Sequence, residues 1–289
     1  MTRKLLVGFL LLVACMLAED AARGVELQLP KEVVAGADMA VPTMGSGSAT
    51  FYLVGPAGTV KRAIKLGQEI QIKGEDVRAA GRYVAVITGD NGGSGAFWVM
   101  PAKVANVGFI AQPSRLPVAL PGAVSGVVYA FDHFHNLVYQ PQPVKFELSV
   151  AGAPTTTRTV ATKDGVAWTR MDSGRKQGAA QFDAEVDGIS ARRVVQQVAG
   201  DPCNLRMKAQ RTPMGILVET DPIRDCSGNP VPDGTIVTFT SVDSKGTTTV
   251  DARIKRDVAS AQLPAADRAT ISVASGVVLG NEIRIGGAQ

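Results

Sequence analysis

Asp225-Cys-Ser-Gly-Asn-Pro-Val-Pro-Asp-Gly-Thr-Ile-Val-Thr-Phe239 is the stretch whose reading decides the fold. A loop carrying Gly228 and Asn229 feeds a run in which Val237, Phe239 and Ser241 alternate with polar residues, the two-residue period of a strand with one buried face. Ninety-three positions earlier stands Asp132-His-Phe-His-Asn-Leu-Val-Tyr-Gln-Pro-Gln-Pro-Val-Lys-Phe146. Asp132, Asn136, Val138, Val144 and Phe146 fall on Asp225, Asn229, Val231, Val237 and Phe239 without a gap. A period the length of one small β-domain marks tandem modules.

The composition agrees. Of 289 residues, 31 are glycine and 16 proline, and only 19% are charged, with no long stretch of helical periodicity. This predicts an all-β chain of two or three domains. The net charge of +4 includes Arg3 and Lys4 of the leader, so the remainder carries about +2. That balance argues against nucleic acid or an anionic membrane surface as the partner.

Working outward from the repeat, three modules are expected, over residues 25–103, 104–198 and 199–289. In the first, Val25, Leu27 and Leu29 alternate with polar residues and predict an opening strand. Further strands are expected at Ala49–Val54, Ile70–Ile72, Gly81–Ile87 and Ala96–Val99, with a hairpin tip over Gly89–Gly95. Gly81-Arg-Tyr83 resembles the approach to the penultimate strand of immunoglobulin-like domains. The resemblance implies that the Tyr83 ring is in the core and its hydroxyl on backbone.

In the second module, Pro113, Pro117 and Pro121 mark edge segments. Val127, Tyr129 and Phe131 share one strand face, and Val144, Phe146, Leu148 and Val150 share another. Lys163-Asp-Gly-Val-Ala167 then turns the chain toward Phe182, Ala184 and Val186. In the third module Asp257-Val-Ala259 echoes Asp164-Gly-Val-Ala167 with one residue fewer. Strands follow at Thr270–Ala274 and Glu282–Ile285.

Taken together, Asp225, Gly228, Asn229, Pro230, Val231, Val237 and Phe239, with their counterparts Asp132, Asn136, Val138, Val144 and Phe146, resemble the bacterial immunoglobulin-like domain of the invasin/intimin type, Big-1. Asp164, Gly165 and Ala167 match the family too. The second module departs from the pattern in placing His135 where glycine is usual and Leu137 where proline is. The resemblance implies tandem immunoglobulin-like β-sandwich domains that act as spacers or adhesive tips, with protein or glycan at the cell surface as partner. It implies no catalytic residue and no cofactor.

The amino terminus predicts export. Thr2-Arg-Lys4 precedes an apolar run over Leu5–Leu17, too short for a comfortable membrane span, so residues 1–18 read as a signal peptide. Leu12-Val-Ala-Cys15 resembles the lipobox of bacterial lipoproteins, which implies acylation of Cys15 and a lipid anchor as the one membrane attachment. The alternative is a cut after Ala18 that discards Cys15. Either way Cys203 and Cys226 remain, an even pair suited to an oxidising compartment and expected to form a disulfide. Their midpoint falls in Arg211-Thr-Pro-Met-Gly215, a turn signal between the strand-like runs Leu205–Ala209 and Ile216–Thr220.

Catalytic motifs are missing: there is no Gly-x-Ser-x-Gly and no His-Glu-x-x-His. His133 and His135, the chain's two histidines, form a His-x-His pair beside Asp132 that could hold a metal only with further ligands. Trp98, Trp168, Tyr139 and Phe134 could form an aromatic sugar platform, or simply pack. The sequence points to a non-enzymatic, exported cell-envelope protein, an adhesive or spacer module. A carbohydrate-binding or periplasmic assembly module that recognises glycan or extended peptide is the alternative.

Overall fold

Beyond the opening segment, alternation of apolar and polar residues has become sheet. The computed structural model describes residues 27–89 and 92–286, and apart from one short 3₁₀ turn, Gly74–Val77, its regular elements are strands. The chain divides into two compact units, residues 27–106 with Ala130–Pro141, and Val107–Tyr129 with residues 142–286.

The first unit holds a five-stranded sheet in the order Glu32–Val34, Gly93–Met100, Gly81–Thr88, Ser48–Gly55, Gly58–Lys65, and a two-stranded sheet of Met39–Val41 and Ile70–Ile72. Glu32–Val34 runs parallel to the end of Gly93–Met100. Between the sheets lie Phe51, Leu53, Ile72, Tyr83, Ala85, Ile87, Phe97 and Val99, all essentially buried. Each large side chain here contributes about 2 kcal/mol through removal from water.

Tyr83 stands as expected. Its ring stacks on Phe97 with centroids 5.6 Å apart, and its hydroxyl donates to the Ala79 carbonyl at 3.0 Å. The ring covers Gly55 so closely that a Cβ there would fall inside it. Burial, more than the nearby Asp76 charge, raises the Tyr83 pKa, and the bond to Ala79 offsets part of this. Tyr83→Phe keeps the ring and strands one carbonyl. It is expected to cost the first unit about 1 kcal/mol in urea unfolding; an unchanged midpoint would mean the hydroxyl is dispensable.

The second unit contains two pairs of facing sheets. In one pair, Val166–Met171, Val124–Phe131 and Asn106–Gln112 form three strands. Thr156–Ala161, Pro143–Val150, Gly178–Val186, Ile189–Val198 and Arg115–Pro117 form five. Phe109, Phe146 and Phe182 meet at its centre, with Phe109 edge-on to Phe182 at 5.1 Å. In the other pair, Met207–Thr212, Gly215–Thr220 and Ser260–Leu263 face Gly246–Arg253, Ile236–Asp243, Ala269–Ser275 and Val278–Ile285. Ile216, Val218, Val237, Phe239, Ile254 and Ile271 fill the space between them. This is the expected all-β, tandem immunoglobulin-like architecture.

Two expectations need correction. Leu27 is buried and Gln28 exposed as the alternation requires, but residues 27–30 form no ladder, and the first strand is Glu32–Val34. A short 2.9 Å bond from the Leu29 N–H back to the Leu27 carbonyl bends the segment out of extended form. Val25 lies outside the described residues. Val127, Tyr129 and Phe131 share a face as expected; it is the half-buried one, and Val124, Gly126, Val128 and Ala130 form the core face of that strand.

The echo at Asp257 is not one residue short. Lys163–Val166 and Lys255–Val258 close the same bridged turn, with positive φ at Asp164 and Gly165 in one and at Arg256 and Asp257 in the other. Asp257 therefore takes the place of Gly165, not of Asp164. Arg224 holds it there by an ion pair at 3.0 Å.

Candidate functional site

The two copies of the Asp-x-x-x-Asn loop fold identically. In each, one carboxylate oxygen accepts two backbone N–H groups: Phe134 (2.8 Å) and Asn136 (2.8 Å) on Asp132, Ser227 (2.8 Å) and Asn229 (2.9 Å) on Asp225. The other oxygen accepts the asparagine side-chain amide, at 2.8 Å from Asn136 and 2.9 Å from Asn229. The turn needs positive φ at its fourth residue, which Gly228 adopts at 84° and His135 at 65°. Glycine takes that conformation freely, and histidine is among the residues that tolerate it.

Aspartate and asparagine side chains commonly bond local backbone in turns. What the sequence did not disclose is the other half of each side chain. Asn136 Nδ2 donates to the Arg78 carbonyl at 2.7 Å, and its Oδ1 accepts the Ala80 N–H at 2.8 Å. Asn229 does the same with the Arg175 carbonyl (2.8 Å) and the Gln177 N–H (3.0 Å). The primary amide thus pairs as a neighbouring strand would, to the carbonyl of one residue and the N–H two further on. The second carboxylate oxygen of Asp132 accepts the Ala102 N–H, and that of Asp225 the Gly200 N–H, both at 3.0 Å. In both places the segments held are the residues before the penultimate strand of a sandwich and those just after its last strand.

Both aspartates are buried. For Asp225, burial alone would push the carboxyl pKa up. Asn229, through its side chain and backbone N–H, and the N–H groups of Gly200 and Ser227 outweigh that, leaving it below its ordinary 3.8. The arrangement offers no nucleophile, general base or open coordination position. It is a fastener made of one carboxylate and one amide.

The aromatic residues do not gather into one platform. Phe134 turns onto Gly36 and packs against the first core. Trp98 and Tyr139, half exposed, line a groove of about 510 Å³ with Glu32, Met100 and Leu137. Tyr139 donates to Met100 Sδ at 3.0 Å, and burial together with the Glu32 charge raises its pKa. Trp168 is exposed on the Val166–Met171 strand and is not part of that groove. His133 and His135 sit in a turn, so strand alternation does not align them, and both are exposed. Among the described residues no group of three or more His, Cys, Asp or Glu could hold a metal.

Cys203 and Cys226 are joined in a disulfide with Cα atoms 4.9 Å apart. Residues 1–18, including Cys15, lie outside the described residues. Among those described, no helix is long and apolar enough to cross a membrane.

No protein-family model and no curated protein matches the sequence. Solved structures do. FdeC, an Escherichia coli adhesin, aligns over 93% of this chain and 98% of its own at 17% identity, with a TM-score of 0.59. InvD of Yersinia pseudotuberculosis aligns over 92% of this chain and 98% of its own at 13% identity and a TM-score of 0.52. Invasin, a bacterial integrin-binding protein, aligns over 89% of this chain and 58% of its own at 12% identity and a TM-score of 0.50. At these identities the likeness establishes the fold.

Proposed function

We propose that this chain is a non-enzymatic, exported cell-envelope protein in which tandem immunoglobulin-like domains act as an adhesive or spacer module contacting protein or glycan at the cell surface. The domains are residues 25–103, 104–198 and 199–289, and residues 1–18 form the signal peptide. Acylated Cys15 supplies the lipid anchor that is the sole attachment to the membrane. The observation that carries the reading is the repeated fastener: Asp132/Asn136 and Asp225/Asn229 spend buried, charge-assisted hydrogen bonds on holding a neighbouring segment and leave no reactive group behind. A chain that invests this way at both repeats is built to hold modules in place. Its fold likeness to an adhesin and an integrin-binding protein favours an adhesive use.

Cells producing the chain should gain protease-accessible surface material and adhere better to host cells or matrix than cells lacking it. Full surface exposure with unchanged adhesion would leave only the spacer role. Mass spectrometry of the mature amino-terminal peptide should find diacylglyceryl-modified Cys15; an unmodified start after Ala18 would remove the anchor.

The groove at Trp98 and Tyr139 favours a second reading, recognition of glycan. An exposed indole offers a stacking face, with Glu32 directly across from it in the sheet as a hydroxyl acceptor. Glycan-array binding lost on Trp98→Ala and kept on Trp168→Ala would support it. Binding by neither protein would remove it.

A further inference from the structure

The fastener has a seat as well as a loop, and the seat occurs a third time. Arg78–Ala80 directly precedes the Gly81–Thr88 strand, and Arg175–Gln177 directly precedes Gly178–Val186. Sheet register locates the equivalent. Ile87, Ala184 and Val273 are each paired with a buried phenylalanine, Phe51, Phe146 and Phe239. Four residues before them stand Tyr83, Ala180 and Ala269, each paired in turn with the last strand of its sandwich at Phe97, Val195 and Ile285. The seat residues lie five and three positions before Tyr83 and before Ala180. The same count back from Ala269 gives Pro264 and Ala266.

Among the described residues nothing fills this third seat. Pro264 and Ala265 are exposed and Ala266 is partly so. Among the described residues neither the Pro264 carbonyl nor the Ala266 N–H has a hydrogen-bond partner. Beside it opens a groove of about 350 Å³, lined in part by Arg211, Asp243, Lys245, Ala265 and Ala266. A second copy of this chain cannot fill it with a ready loop. The sequence contains two Asp-x-x-x-Asn loops at the repeat, and both are already bound to their own chain.

We propose that Pro264–Ala266 is a docking seat for the Asp-x-x-x-Asn loop of a further immunoglobulin-like module. The incoming asparagine amide donates to the Pro264 carbonyl and accepts the Ala266 N–H, as Asn136 and Asn229 do at the filled seats. This extends the modular reading to a new surface but does not depend on adhesion. A failed adhesion assay leaves it standing, and its own failure leaves adhesion untouched.

The test appends a copy of residues 200–289 directly after Gln289. Register matches Val195 to Ile285, and counting four residues on along the sequence from each gives Ala199 and position 289, so the added Gly200 follows in step. Amide hydrogen exchange is then read residue by residue. In the chain as it stands, the Ala80 and Gln177 amides should be protected and the Ala266 amide should exchange freely. In the extended chain, Ala266 should slow by about tenfold or more. Asn229→Ala in the added copy alone should abolish that gain. Protected Val237 and Phe239 amides in the added copy report its folding, and a parallel extension with residues 102–198 presents the other loop. Ala266 exchanging equally fast with and without a folded added module, or staying protected after Asn229→Ala, would overturn the proposal.

Discussion

Asp225→Ala is expected to destabilise residues 199–286 by about 3 kcal/mol or more, because no other group can take over what the carboxylate does. It receives the N–H groups of Ser227, Asn229 and Gly200 and the Asn229 side-chain amide. Each donor left unsatisfied in a buried site costs about 1–3 kcal/mol, and partial hydration of the opened loop recovers some of the total. Asn229→Ala should behave differently. It spares the three backbone bonds to Asp225 and removes the pair to Arg175 and Gln177. The Gln177 amide should therefore lose its exchange protection, while the core around Phe239 keeps most of its own.

Acidity gives the same prediction a second axis. The folded carboxyl lies below 3.8, its ordinary value. A group depressed in this way adds stability that is whole above about pH 5 and is lost as pH falls through 3.8 and on through the lower folded value. The gap between the natural chain and Asp225→Ala should accordingly narrow in acid. A gap that held constant from pH 6 to pH 2.5 would show that the carboxylate charge is not what the site uses.

The contrast between loop and seat explains how much could be read in advance. Strands at Val144–Val150 and Val237–Ser241 announce themselves because a period of two is written in side chains. Asp132 and Asn136 stand out because they recur ninety-three residues on. Their partners do not. Arg78, Ala80, Arg175 and Gln177 take part through carbonyl and N–H groups that every residue carries, so neither identity nor spacing marks them. The turn at Asp257 hides its equivalence for a related reason. Positive φ is a backbone demand, met by Gly165 in one copy and by Asp257 in the other, so residue identity aligns Asp257 with Asp164 while conformation aligns it with Gly165. The cysteines were legible as a pair, and the hairpin at Arg211–Gly215 is where the turn signal put it. The aromatic set scattered because exposure of Trp98 and Trp168, and burial of Phe134 against Gly36, depend on packing that no local pattern encodes.

Removal of the disulfide, as Cys203→Ala with Cys226→Ala, is expected to cost about 3 kcal/mol, chiefly by freeing the unfolded chain, since the bond closes a separation of 23 residues. Its position gives that loss a place. Met207 pairs with Thr220 in the hairpin, and the same register continues outward to Cys203 opposite Arg224 and Pro202 opposite Asp225. The bond therefore clips the open end of a ladder whose closed end is the Thr212–Gly215 turn. Gly200, which donates to Asp225, lies three residues before Cys203, and Asp225 directly precedes Cys226. Thermal scans with and without reductant should show a drop for the natural chain that the double variant lacks, because exposed Cys226 leaves the bond open to attack. Exchange at Gly200 should quicken together with that drop. If the two separate, so that stability falls while Gly200 stays protected, then the carboxylate and amide hold the joint without the covalent clip, and the disulfide serves the hairpin alone.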